Sequence, residues 1–282
     1  MSTEQIIQEF RNYLRATKSS NTKNLYSIAV KQFLEFIDGN LDKINSQTIE
    51  QWIQHLKQQG YKPNTIITKK RAVDNFIDWL KNHKKPDVQR TKVALPRPQD
   101  PNRIVLTKEE LQHVLQTIVD NFTGLGRICL IFLAATGVRV SELIKIKVDD
   151  ISIVNGRVVV RVVGKGGKFR TVPAFKFLNP YLKEHLLRFR PTYWLFPSTH
   201  APGHHITFRA VQKYCERLSK ILGRRIHPHA FRYTYASIQY ARGVDIVTLR
   251  RILGHSKLQT TELYISQSPD GLVEKIEKND GL

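Results

Sequence analysis

Four segments of the chain hold side chains whose types and spacing could do chemistry. GHSKLQTTELY (254–264) sets His255 directly after a glycine and Tyr264 nine positions later. The preceding DIVTLRRILG has helical apolar spacing at Ile246, Leu249, Ile252 and Leu253 and stops at Gly254, while Ser256 is placed to cap a second short helix. A histidine fixed between a glycine stop and a serine start, followed by a tyrosine on a helix with few apolar anchors, suits a reaction in which the phenol swings onto a substrate. In HPHAFRYTYAS (227–237), Pro228 suits the first position of a helix that Gly243 ends, so His229 and Arg232 become i,i+3 neighbours near the positive end of the helix dipole. Two such groups repel when both are charged, and an anion between them would explain the pairing; a neutral capping histidine beside an exposed arginine is the alternative. In ATGVRVSEL, Arg139 follows a glycine turn among Val138, Val140 and Leu143, with Glu142 one helical turn on to hold its guanidinium; alone, a structural Arg–Glu pair explains this as well. GKGGK (164–168) offers Lys165 and Lys168 on a loop without the glycine spacing or the Ser/Thr of a phosphate-binding P-loop, so nucleotide binding is not supported.

These residues need elements to hold them. GRVVVRVV (156–163) is strand-like in its β-branched density and FRTVP (169–173) can pair with it, which makes GKGGK a hairpin tip. Thr107 to Glu110 forms a capping box before Leu111, Val114, Leu115 and Ile118, a buried helix follows over 125–135, and helical spacing returns from Pro228. The expected fold of this half is mainly α with a small antiparallel β-sheet. The half before it reads as all-α. Helical stripes run through Ile6, Ile7, Phe10, Tyr13 and Leu14; through Leu25, Ile28, Ala29, Phe33 and Phe36; through Ile49, Trp52, Ile53 and Leu56; and through Ile67, Val73, Phe76, Ile77 and Leu80. Between the halves, residues 86–103 hold four prolines and no helical period, as expected of an extended linker. The expected domains are therefore 1–85, the linker 86–103, and 104–282.

Charge narrows the class. The chain has 282 residues, 45 Lys and Arg against 24 Asp and Glu, and a formal net charge of +21, a field that draws polyanions. Both halves are basic, so two positive blocks on a tether could close around a duplex. Lys69, Lys70 and Arg71 form a run on the fourth helix that fits either a solvated face or contact with DNA phosphates. A membrane span is weakly supported: the longest apolar run, Ile128 to Ala135, falls far short of the roughly 20 residues needed. The opening MSTEQIIQEFRNYL lacks the layout of a secretory signal, and Cys129 and Cys215 make no disulfide framework, so a cytoplasmic, nucleoid-associated location is expected. The histidine-rich THAPGHH (199–205) lacks the spacing of a zinc site and reads as a surface loop.

Arg139, Lys165, His229-x-x-Arg232, His255 and Tyr264, in that order and within TGVRVSEL, GKGGK, HxxR and LGHSKLQTTELY, closely resemble the tyrosine recombinases of the phage-integrase and Xer type. Tyr233 departs from the pattern, standing where many members have a histidine. The resemblance implies a site-specific recombinase in which Tyr264 attacks a DNA phosphodiester to give a 3′-phosphotyrosyl enzyme and a free 5′ hydroxyl. Arg139 and Arg232 would hold the non-bridging oxygens, Lys165 would protonate the leaving oxygen, His229 and His255 would bond the phosphate or move protons, and Glu142 would orient Arg139. Lys168, Lys69, Lys70 and Arg71 would contact DNA. No metal or cofactor is implied. The implied partners are duplex recombination sites, a tetramer of this chain on DNA passing through a Holliday junction, and accessory DNA-bending proteins. Leu272, Val273 and Ile276 in the tail form an amphipathic piece that could dock on a neighbouring protomer or fold back on its own domain. A strand relaxer of the type IB topoisomerase kind and a non-catalytic DNA-binding protein are the competing readings; the first predicts relaxation without partner sites, the second no covalent adduct.

Overall fold

A computed structural model describes residues 2–18, 20–85, 87–99, 103–164, 167 and 169–254. The chain divides into two compact units, Met1–Pro101 and Asn102–Leu282.

Unit one is helical. Helix α1 (Thr3–Thr17) starts on a reciprocal cap in which the Gln5 N–H donates to Ser2 Oγ (3.2 Å) and the Ser2 N–H to Gln5 Oε1 (2.9 Å). Helices α2 (Ser20–Phe36), α3 (Ser46–Gln58) and α4 (Pro63–His83) follow, α3 capped by the Asn45 side chain and α4 opened by a proline at its first position. Their core is Phe10, Phe33, Trp52, Phe76 and Leu80. The register of α2 corrects the expected one. It buries Ala29, Val30, Phe33 and Leu34, with Ile37 just past its end, and leaves Leu25 and Ile28 58% and 57% exposed. Two apolar stripes overlap on this helix, and the one richer in consecutive i,i+3/i+4 contacts wins the face against α4.

The proline-rich stretch is not a free tether over 87–99. Val88 is buried, Arg90 Nε donates to Asp78 Oδ1 (2.6 Å), Thr91 O accepts from Lys70 Nζ (3.0 Å), and Asn64 exchanges two hydrogen bonds with the Gln99 backbone. The basic run on α4 is corrected with it. Lys69 and Lys70 are buried: Lys69 Nζ bonds Gln32 Oε1 and lies 4.4 Å from the Tyr61 ring centre, and Lys70 Nζ pairs with Asp74 Oδ1 at 2.5 Å. Arg71 alone of the three is exposed.

Unit two is built around α6 (Gly124–Thr136), a helix buried on all sides beneath α5 (Lys108–Asn121), α8 (Leu178–Phe189), α9 (Phe208–Ile221) and α10 (Pro228–Ala241). Thr107 and Glu110 do form the capping box of α5. Strands β1 (Ile151–Val154), β2 (Arg157–Val163) and β3 (Phe169–Pro173) make an antiparallel sheet in the order β1-β2-β3, with Val163 opposite Phe169 so that GKGGK joins the two arms. The sequence reading did not include β1, α8 or α9. Short α7 (Val140–Leu143) and α11 (Ile246–Leu253) complete the described α-helices. Residues 199–205 form an irregular loop tied to Ser198 Oγ by the His200 and Ala201 N–H groups. Among the described residues no helix is long and apolar enough to cross a membrane, and no three His, Cys, Asp or Glu side chains group as a metal site.

Candidate active site

The candidate site forms where four segments meet at the C-terminal end of α11. Helix α6 is stopped by Gly137 in the left-handed region (φ +61°); a Cβ there would lie 3.0 Å from the Tyr235 ring, so glycine is required by both conformation and space. The turn delivers Arg139 as the residue before α7. Its backbone N–H donates to Glu142 Oε2 (2.8 Å) and its Nη1 to Glu142 Oε1 (3.0 Å). Glu142, only 8% exposed, is therefore not a simple surface partner.

A residue that sequence reasoning missed completes this carboxylate. Arg170, on β3, donates from Nη1 to Glu142 Oε1 (2.9 Å) and from Nη2 to Glu142 Oε2 (2.8 Å), a planar two-point fork. Burial pushes the Glu142 carboxyl up, but the bonds and charge of Arg170 and Arg139 more than offset this and hold it below the ordinary carboxylate range. A usable signal was present. Arg170 shares a strand face with buried Val172, and a guanidinium on an inward face must find buried acceptors.

The three guanidiniums also converge on backbone oxygens of α11. Arg170 Nε donates to Ile252 O (2.7 Å), Arg139 Nη1 to Leu253 O and Nη2 to Gly254 O (both 3.4 Å), and Arg232 Nη2 to Leu253 O, while Arg232 Nη1 takes Gly137 O (2.8 Å). The last carbonyls of a helix lack intrahelical donors and form the negative end of its dipole, so arginines are drawn there. One oxygen atom, Leu253 O, thus receives both Arg139 and Arg232. Arg232 is 1% exposed, which removes the exposed-arginine alternative.

His227, not His229, caps α10, its Nδ1 accepting the Ala230 N–H at 3.1 Å. His229 sits one position inside the helix. Burial and then the positive charges of Arg232, His227 and Arg139 lower its pKa, so it stays neutral at pH 7. Its ring lies 6.2 Å from that of Tyr233, which in turn sits under the Arg103 guanidinium. Tyr235 is excluded as a nucleophile: it is buried, its hydroxyl donates to Pro173 O (2.7 Å), and burial pushes its pKa up to about 12. Arg139, Glu142, His229 and Arg232 are thus brought together. Lys165, Lys168, His255 and Tyr264, and the tail residues Leu272, Val273 and Ile276, lie outside the described residues.

Such a site can hold a doubly coordinated anionic oxygen pair. Among the described residues Arg139 and Arg170 share a single carboxylate, and guanidinium forks match phosphate geometry. Comparison with known proteins is consistent with this chemistry. Residues 104–270 match the model of the phage integrase family, and residues 7–84 that of the phage integrase N-terminal SAM-like domain. The chain is similar to tyrosine recombinase XerA of Thermococcus kodakarensis, with 30% identity over 97% of this chain and 95% of that protein. It is likewise similar to a tyrosine recombinase of Pseudothermotoga lettingae, at 31% identity over 93% of each chain. Among solved structures, XerH bound to palindromic difH in a post-cleavage complex shares the fold with a TM-score of 0.79 at 20% identity, covering 98% of this chain and 84% of that one. The Tn1549 transposon integrase bound to transposon right-end DNA shares it with a TM-score of 0.71 at 18% identity over the full length of both chains.

Proposed function

Because the chain belongs to the phage integrase family, and is a site-specific tyrosine recombinase that cleaves and rejoins DNA, we propose how its own residues divide the work. The observation that carries the proposal is the meeting of Arg139 and Arg232 on one oxygen, Leu253 O. Two cationic forks placed to share one neutral carbonyl can also grip the two non-bridging oxygens of a phosphodiester, which offers them charge as well as lone pairs.

In the proposed reaction the Tyr264 phenol loses its proton to a histidine, His229 or His255, and its oxygen bonds to phosphorus. The bond from phosphorus to the 5′ oxygen breaks, and Lys165 gives that oxygen a proton. Energy of the broken ester bond is kept in the 3′-phosphotyrosyl linkage, so the reverse attack by a 5′ hydroxyl rejoins DNA without a nucleotide cofactor. Arg139 and Arg232 neutralise the charge that grows on the phosphoryl oxygens, and Glu142 holds Arg139 in place. The neutrality of His229 supports its acting as a proton acceptor at pH 7.

The chain binds DNA recombination sites. The finer assembly is also part of the proposal: four protomers on two sites, passing through a Holliday junction, with accessory DNA-bending proteins, in the cytoplasm at the nucleoid. Arg71, Lys168 and the excess positive charge of the chain would hold the backbone, with Lys69 and Lys70 acting through the packing of α4. The 268-residue chain ending at Ser268 tests tail exchange by gel filtration and crosslinking on DNA, and unchanged assembly counts against it.

The test of the reaction is a nicked duplex from which the cleaved 5′ fragment escapes. Wild type should accumulate a protein–DNA adduct and Tyr264→Phe should form none. An adduct in the Phe variant removes Tyr264 from the nucleophile's place.

A further inference from the structure

The mechanism above uses Arg139 and Arg232 but leaves Arg170 without a task, although Arg170 makes three side-chain hydrogen bonds in the cluster. Three of its N–H donors, one on each nitrogen, are spent on two oxygens of Glu142 and on Ile252 O, and its side chain is 11% exposed. A guanidinium held on three acceptors inside the cluster, with its fork taken by a carboxylate, is suited to holding its neighbours in place. Its partners are the two things that fix Arg139: the carboxylate that orients the guanidinium, and the end of α11, where Arg139 and Arg232 both land. Gly254 adds an independent mark. A Cβ at that residue would lie 3.1 Å from Arg170 Cδ, Nε and Cζ, so the helix end is built to let this side chain pass close against it.

We propose that Arg170 is a positioning residue for DNA cleavage, which locks the Arg139 guanidinium and the C-terminal end of α11 into one frame by binding Glu142 through both Nη atoms and Ile252 O through Nε. The proposal rests on the recombinase reading of the site. It assigns three consequences to one side chain. Glu142 cannot rotate away from Arg139 while both its oxygens are held in the plane of the Arg170 fork. The α11 end, and with it Leu253 O, is fixed relative to Arg139. And β3, an arm of the GKGGK hairpin, is pinned near its loop end to the same cluster. In this proposal Arg170 acts through Arg139.

A displacement of about 1 Å in a catalytic group can cost about 10²-fold in rate, which sets the scale of the test. Cleavage of the nicked duplex is followed in single turnover with protein in excess, and affinity for the same duplex is measured separately, for wild type, Arg170→Ala, Arg139→Ala and the double variant. The expected result is a rate for Arg170→Ala lower by about 10- to 10²-fold with unchanged affinity, and a double variant no slower than Arg139→Ala alone, because a positioning residue has nothing left to position. Arg170→Lys keeps the charge and the aliphatic stem beside Gly254 but has no planar fork. It should fold where alanine fails and still cleave several-fold slower than wild type. Full-rate cleavage by Arg170→Lys, or an Arg170→Ala defect that multiplies that of Arg139→Ala, overturns the proposal. Arg170→Ala at wild-type rate overturns it while leaving the recombinase reading intact, whereas a wild type that forms no adduct overturns that reading first.

Discussion

The basic run on α4 and the arginine cluster at the end of α11 contain the same kind of residue in opposite electrical settings. On α4, each buried lysine has acceptors of its own: Gln32 and the face of Tyr61 for Lys69, Asp74 and Thr91 O for Lys70. At α11, Arg139 and Arg170 divide one carboxylate, and Arg139 and Arg232 meet on one carbonyl. Balanced cations hold a fold together. Cations gathered on shared acceptors concentrate positive charge at one point, and the difference lies in the neighbours rather than in the number of lysines and arginines.

The comparison can be broken by removing the shared carboxylate. Glu142→Ala leaves the buried Arg170 guanidinium uncompensated and should cost about 3–5 kcal/mol of stability; chemical denaturation that shows a loss below about 1 kcal/mol would mean the cluster does not depend on Glu142 as described. On the balanced side, Lys70→Ala strips Asp74 and Thr91 O of their donor and should cost about 1–3 kcal/mol. The same measurement checks it, and a variant as stable as wild type would put Lys70 back on the surface.

Acidity probes the excess charge. His229 has a pKa below its ordinary 6.5 because burial and three nearby cationic groups disfavour the protonated form. The unfolded chain therefore takes up this proton more readily than the fold. The stability His229 contributes is complete above pH 6.5 and is lost as pH falls through the lower folded value. The stability gap between wild type and His229→Gln should shrink between pH 7 and pH 5, and a constant gap would contradict the electrostatic environment. The smallest effect belongs to exposed Arg71. Arg71→Ala should leave stability within about 0.5 kcal/mol of wild type. Through the loss of one phosphate contact it should lower the salt slope of DNA binding by about one unit; an unchanged slope removes Arg71 from the interface.

What could be seen in the sequence followed from range. Arg139 with Glu142 and His229 with Arg232 are i,i+3 pairs on helices, where local spacing alone makes neighbours. Gly137 and Gly254 end their helices in the left-handed conformation such stops require. For Arg170 the inward strand face signals a need for buried acceptors but does not name them, because its partners Glu142 and Ile252 come from two other segments and only the tertiary fold brings them near. The α2 register failed for a related reason: Leu25 and Ile28 belong to a legitimate apolar stripe, and only packing against α4 decides which stripe is buried. For Lys69 and Lys70 the sequence offered a solvated face or contact with DNA phosphates, yet their long stems reach paired, buried positions. Helix α9 carries Val211, Cys215 and Leu218 at proper spacing, but among so many polar residues the pattern escaped notice.

The central claim is that the guanidiniums converging on Leu253 O stabilise a phosphate in transition rather than merely attract DNA. Single-turnover cleavage and equilibrium binding of one nicked duplex by Arg139→Ala and Arg232→Ala test it most directly. Rates lower by about 10²–10³-fold with affinity retained are expected. Unchanged rates accompanied by weakened binding would reduce the cluster to one more basic patch.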